Sequence, residues 1–178
     1  SGPHVICRGE GIYVYDNSNT KFIEGMSGLW CASLGFNNND LVEAAAKQMD
    51  KLPFYHSFAG KVPEVAANLS EKLVGIAPTG LDKVFFCNSG SEANDTAIKI
   101  VWYYQNALGR PEKRKIISRK RGYHGVTMVA GSLTGLPYAQ DGFGLPLDFV
   151  RHTSCPHYFI EKLEGESEQN FVDRMLNN

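Results

Sequence analysis

Apolar residues recur along this chain with two rhythms, a period of two and a period near 3.6, and the change between them predicts its elements. Gly11-Ile12-Tyr13-Val14-Tyr15-Asp16 has strand rhythm, and Lys21-Phe22-Ile23-Glu24-Gly25 follows it across the polar residues 16–20. That pairing predicts a hairpin with a polar turn. Asp40 then stands as an N-cap for a helix over 41–52, with Leu41, Ala44, Ala45 and Met49 on one face. After an aromatic loop at 53–58, Pro63 sets a second helix start. Val65, Leu69, Leu73 and Ile76 form its stripe, and it ends before Pro78.

A different order begins at Asp82. Residues 82–87, carrying the apolar run 84–87, predict a short buried strand, and 91–108 a long helix stopped by Gly109 and Pro111. Residues 115–118 predict another strand, about 126–132 a helix, Phe149-Val150 a further strand, and 167–176 a last helix. Strand, helix, strand, helix, strand predicts an α/β layer with parallel strands.

Composition narrows the function classes. With 178 residues, 43% hydrophobic and 21% charged, the chain is of ordinary globular type and long enough to bury a core without staples. A formal net charge of −1 gives no global field for nucleic acid or an anionic membrane. Residues 110–121 hold seven basic side chains against Glu112. Ile116 and Ile117 interrupt that run, so it reads as the solvated ends of a helix and a strand. No apolar stretch is long enough to span a bilayer, and the start does not resemble a signal peptide. A cytoplasmic location is the default expectation.

The four cysteines, Cys7, Cys31, Cys87 and Cys155, form no C-x-x-C pair, and the five histidines are scattered. No metal site is expected, and Cys31 and Cys87, set in apolar sequence, are expected as buried, reduced thiols. The start on Ser1-Gly2-Pro3 and the stop on Asn177-Asn178 suggest trimming at both ends.

The chemistry gathers at Asn88-Ser89-Gly90-Ser91-Glu92-Ala93-Asn94-Asp95, directly after the apolar run. A helix start presents unpaired N–H groups and the positive end of the macrodipole. Gly90 lets the backbone approach a ligand closely, and Ser89 and Ser91 add hydroxyls, a combination that suits a phosphate. The plainer reading is a serine-capped helix with Glu92 complementing the dipole. The turn is neither a Walker loop nor a nucleophile elbow.

The stretch FFCNSGSEANDTAIKI resembles the phosphate-binding strand, turn and helix of class III pyridoxal-phosphate aminotransferases, enzymes of fold type I. GEGIYVYD, FIEGMSGLWCASLGF, LPFYHSF and KRKIISRKRGYHG resemble, in the same order, segments of the ω-amino acid:pyruvate aminotransferases. The resemblance covers essentially the whole chain. It implies a partial fold type I α/β architecture. Residues 1–51 would be the N-terminal segment of the small domain, and 52–178 the first half of the large cofactor domain.

The same resemblance implies pyridoxal 5'-phosphate as cofactor, with Ser89, Gly90 and Ser91 as its phosphate cradle and Glu92 nearby. Tyr123 would stack on the pyridine ring, with His124 and Gly125 completing its turn and His124 structural rather than a base. Leu29, Trp30 and Phe58 would shape the pocket for the amine. For Tyr123 and Phe58 a plain packing role stands beside this one. The implied partners are a small-molecule amine donor and an oxo-acid acceptor, and a second copy of the complete enzyme in a homodimer.

Transamination also needs a lysine that carries the cofactor and moves a proton, and a carboxylate beside the pyridine nitrogen. The family has both well downstream of the Ser-Gly-Ser turn. Lys83, Lys99, Lys115 and Lys120 lie in no segment resembling the family's lysine loop, so the chain is expected to be inactive alone. Two alternatives stand beside an aminotransferase: an aminomutase, racemase or decarboxylase of the same fold type, or a non-catalytic binding form.

Overall fold

The computed structural model describes residues 2–177, and the chain divides into two compact units, Ser1–Lys83 and Val84–Asn178. The first unit opens with a three-stranded antiparallel sheet in chain order, β1 (Ile6–Glu10), β2 (Tyr13–Asp16) and β3 (Lys21–Ile23). The expected hairpin is β2–β3, with Tyr13 opposite Ile23 and Val14 opposite Phe22. Asp16 closes it: its Oδ1 accepts from the amides of Ser18 (2.9 Å) and Thr20 (2.8 Å). Those bonds, the one from Thr20 first, hold its carboxyl below the ordinary aspartate range. The strand β1 is additional. Its sequence, Ile6-Cys7-Arg8-Gly9-Glu10, lacks a strand rhythm, and it is held by pairing with β2.

Two helices follow, α1 (Asn39–Lys51) and α2 (Glu64–Ile76). The cap of α1 is Asn38, whose side chain accepts from Leu41 N, so Asp40 lies in the first turn instead. Neither helix buries a residue. The stripes that predicted them are uncovered: Leu41 is 54% exposed, Met49 63% and Ile76 83%.

In the second unit, α3 (Gly90–Ala107), β4 (Ile116–Arg119), α4 (Met128–Leu133), β5 (Val150–Thr153), α5 (Tyr158–Glu161) and α6 (Glu168–Leu176) follow in order, with a 3-10 turn at Pro137–Ala139. The strands β4 and β5 are parallel, Ile116 opposite Val150 and Ser118 opposite His152. The expected parallel layer is therefore present, two strands wide. Its core is Ile98, Leu133 and Val150, with Trp102, Ile116, Val129 and Phe149 packed against it. Trp102 meets Phe149 edge-on at 4.8 Å. Ser118 Oγ donates to Leu133 O at 2.6 Å, tying β4 to the end of α4.

Three expectations are corrected. Residues 82–87 join no ladder, and Phe85 and Phe86 are 71% and 47% exposed. An apolar run becomes a strand only where neighbours accept its backbone hydrogen bonds, and the described residues supply none there. Cys31 is exposed and Cys87 half-buried rather than both buried. The core is small, since only six hydrophobic side chains are buried among the described residues. No helix among them is long and apolar enough to cross a membrane.

Candidate functional site

The start of α3 is built by its own sequence. Ser89 has extended backbone, and its Oγ accepts from Glu92 N at 3.2 Å while its carbonyl accepts from Ala93 N. Glu92 reaches back, its Oε2 accepting from Asn88 N at 2.8 Å. This is a capping box that reaches one residue further back than usual. The Glu92 carboxylate is thereby engaged in holding the turn. The amides of Gly90 and Ser91 fall in the first turn, where a helix has no internal acceptor for them. A Cβ built on Gly90 would meet no heavy atom within 4 Å, so open space lies beside that residue.

A second segment lies against this helix start. Ser91 Oγ accepts from Val126 N at 3.0 Å, and Asn94 Nδ2 donates to His124 O at 2.7 Å. Asp95 Oδ1 accepts from Thr127 Oγ1 (2.8 Å) and from Ala130 N (3.0 Å). The approach at Gly125 is close enough to require glycine. Its φ is +125°, and a Cβ there would lie 2.3 Å from Ser91 Oγ and 2.9 Å from Ala130 Cβ. From the other side, buried Thr134 accepts from His124 N at 2.9 Å and donates to Gly125 O at 3.0 Å.

Ser89, Gly90, Ser91 and Glu92 are thus brought together with His124 and Gly125. Tyr123, next in the chain, is 60% exposed. His124 is held through its main-chain amide and carbonyl. Asn94, Asp95, Thr127 and Thr134 are the residues that sequence reading passes over. The only signal for the first two is their spacing from Ser91, three and four residues on, which sets all three on one helix face. Nothing in one sequence says what that face meets 30 residues later.

Leu29, Trp30 and Phe58 belong to the first unit. Residues 27–30 form a left-handed turn, with φ of +50° at Ser27, +58° at Gly28, +59° at Leu29 and +69° at Trp30. Trp30 N donates to Met26 O at 2.9 Å across it. Each non-glycine residue held there costs about 1–2 kcal/mol. That cost presents two large side chains outward, Leu29 59% and Trp30 74% exposed. Phe58 is 78% exposed, with Ala59 and Gly60 left-handed after it.

Two cavities adjoin the second unit's turns. One of about 280 Å³ lies against Gly125 and Val126, walled by Met128, Tyr138, Phe143 and Leu145. A larger one, about 490 Å³, is lined by Lys120, Arg121, Gln140, His152, Cys155 and Glu161 among others, and by none of the residues expected to bind cofactor or amine. Arg121 is paired there with Glu161 at 2.8 Å.

Comparison with known proteins places the chain in a family. The family model for class-III aminotransferases matches residues 2–178. The chain is 51% identical over 177 residues to the vanillin aminotransferase of Capsicum chinense, 99% of this chain and 39% of that protein. It is 49% identical to the mitochondrial gamma-aminobutyrate transaminase 1 of Oryza sativa subsp. japonica, over 99% of this chain and 34% of the relative. Among solved structures, the omega transaminase from Pseudomonas jessenii in complex with PMP matches at 55% identity with a TM-score of 0.94. The match covers 98% of this chain and 38% of that one. The PMP-bound aminotransferase from Vibrio fluvialis matches at 44% identity with the same TM-score, over 99% and 39%. The chain thus spans well under half the length of the relatives it matches.

Proposed function

The chain belongs to the class-III aminotransferases, and we propose that it is the N-terminal part of one that uses pyridoxal phosphate to move an amino group from an amine or ω-amino acid to an oxo acid such as pyruvate. The observation that carries this reading is the pairing of an open helix start with a backbone turn pressed onto it. A Cβ built on Gly90 would meet open space, and Gly125 closes on Ser91 where no side chain fits. A phosphate monoester fits the first feature by charge and by donors.

In this reading the Gly90 and Ser91 amides bind the phosphate, with Ser89 and Glu92 holding the turn that aims them. Ser91 Oγ already accepts from Val126 N, so its own proton is free to donate to the anion. Tyr123 lays its exposed ring against the pyridine face, which fixes tilt and excludes water from one side. His124 and Gly125 hold that turn in place. Leu29, Trp30 and Phe58 wall the amine pocket and limit its size. When bound, pyridoxal phosphate supplies the electron sink that lets a proton leave the carbon bearing the amine.

The lysine that carries the cofactor lies outside these 178 residues in this reading. Lys99, the nearest on α3, is exposed and stands two turns beyond Ser91. We assign residues 1–51 to the small domain's N-terminal segment and 52–178 to the first half of the cofactor domain. The complete enzyme would work as a homodimer in the cytoplasm or an organelle matrix, the rice relative being named as mitochondrial.

The test has two parts. The full-length polypeptide, loaded with pyridoxal phosphate, is expected to transfer the amino group of amine donors to pyruvate, giving alanine and the donor's ketone or aldehyde. The 178-residue chain, treated with pyridoxal phosphate and borohydride, is expected to show no stoichiometric adduct by intact mass. A single labelled lysine in the short chain would overturn the assignment of that residue. Absence of amino transfer in the full-length protein would overturn the activity.

A further inference from the structure

We propose that Asn94 and Asp95 are positioning residues that set the Tyr123 turn in register with the phosphate cradle. The inference rests on the cofactor reading above. Ser91, Asn94 and Asp95 occupy one face of α3, and each holds a different main-chain group of the stretch 124–130. Ser91 Oγ accepts from the Val126 amide, Asn94 Nδ2 donates to the His124 carbonyl, and Asp95 Oδ1 accepts from the Ala130 amide. The order is acceptor, donor, acceptor, and at 94 the side chain must be a donor. A carboxylate at 94 would face the His124 carbonyl with no proton between them, whereas an amide there supplies one. At 95 a carboxylate takes two donors on one oxygen, the Thr127 hydroxyl as well as the Ala130 amide.

The consequence reaches Tyr123 through His124. Asn94 fixes the peptide plane after His124, and Thr134 fixes the plane before it by accepting from His124 N at 2.9 Å. With both planes held, the backbone that carries Tyr123 has little freedom left. The helix that presents the Gly90 and Ser91 amides therefore also sets the platform for the ring. The cradle and the stacking face form one preorganised body, so a ligand that uses both loses less entropy on binding.

The experiment uses the full-length protein with Asn94→Asp, which keeps the shape and inverts the donor, and Asn94→Ala and Asp95→Asn beside it. Hydrogen exchange is measured first on cofactor-free protein. Amides of 123–130 are expected to exchange about tenfold faster in the Asn94 variants, the scale of one hydrogen bond, while 98–107 and β4 stay unchanged. Affinities for pyridoxal phosphate and for inorganic phosphate are then compared. The Asn94 variants are expected to lose about tenfold for the first and less than about twofold for the second. In a Tyr123→Ala background, Asn94→Ala is expected to cost nothing further for pyridoxal phosphate.

Unchanged exchange over 123–130 overturns the proposal. So does an equal loss for both ligands, or full additivity with Tyr123→Ala, because a residue that merely supports the fold would produce either. If Asn94→Asp does not fold, Asn94→Ala decides. A wild-type protein that ignores pyridoxal phosphate would sink the cofactor reading alone, and the exchange measurement would still decide whether Asn94 and Asp95 pin the turn.

Discussion

Two glycines in this site answer opposite demands, and substituting each separates folding from binding. Gly125 is buried with φ of +125°, and an added methyl would lie 2.3 Å from Ser91 Oγ. Gly125→Ala therefore combines backbone strain with overpacking, expected to cost about 2–4 kcal/mol in urea unfolding. Gly90 has no such neighbours, and its added methyl would project into open space. Gly90→Ala is expected to leave stability within about 0.5 kcal/mol while weakening inorganic phosphate by titration calorimetry. An unchanged affinity for phosphate would mean that the space beside Gly90 is not where the anion binds. The role of Gly90 is legible in the sequence, because Ser-Gly-Ser at a helix start carries its own chemistry. That of Gly125 is not, since its reason lies in Ser91, 34 positions earlier.

At the scale of elements, what the sequence reveals divides by how local the causes are. The helices α1, α2, α3 and α6 lie where caps and periodicity put them, to within a residue or two, because helical hydrogen bonds close inside the segment. The hairpin β2–β3 is equally local, closed by Asp16. The strand β1 and the run 82–87 fail in opposite directions for one reason: a strand depends on its neighbour. Ile6–Glu10 has poor strand sequence and a partner, whereas Val84-Phe85-Phe86 has good strand sequence and none.

The link between α5 and α6 shows an element held by charge, and it predicts a pH dependence. Arg174 grips Glu166 with two bonds of 2.7 and 2.8 Å and also reaches Glu161 O at 2.9 Å. Chiefly through the Arg174 bonds, the Glu166 carboxyl falls to about 2. Folding favours its ionised form, so its contribution is complete above the ordinary glutamate range and is lost as pH falls toward about 2. Amides of α6 are expected to exchange faster, beyond the intrinsic effect of pH, on acidification across that window. In Glu166→Gln that excess should vanish, with α6 already loosened at neutral pH. An identical pH profile in the variant would assign the loosening to another group.

At the scale of the molecule, surface area sets the terms. Large apolar side chains stand exposed in both units. Val65, Leu69 and Leu73 on α2 are 49%, 47% and 36% exposed, and Ile117 on β4 is 74% exposed. Patches of this kind in a soluble protein are covered by something else or cause association. The matched relatives are more than twice as long as this chain, so in our reading the cover is the rest of the enzyme. The 178-residue chain alone is therefore expected to bind an apolar dye strongly and to elute from size exclusion as assemblies larger than 19.7 kDa. Supplying the remaining segment as a second polypeptide should suppress both. It should also slow hydrogen exchange at residues 82–87, the apolar run that now lacks a partner strand. A dye-silent, monodisperse monomer would mean that the chain completes its own fold in solution, and the non-catalytic short form would then become the better account.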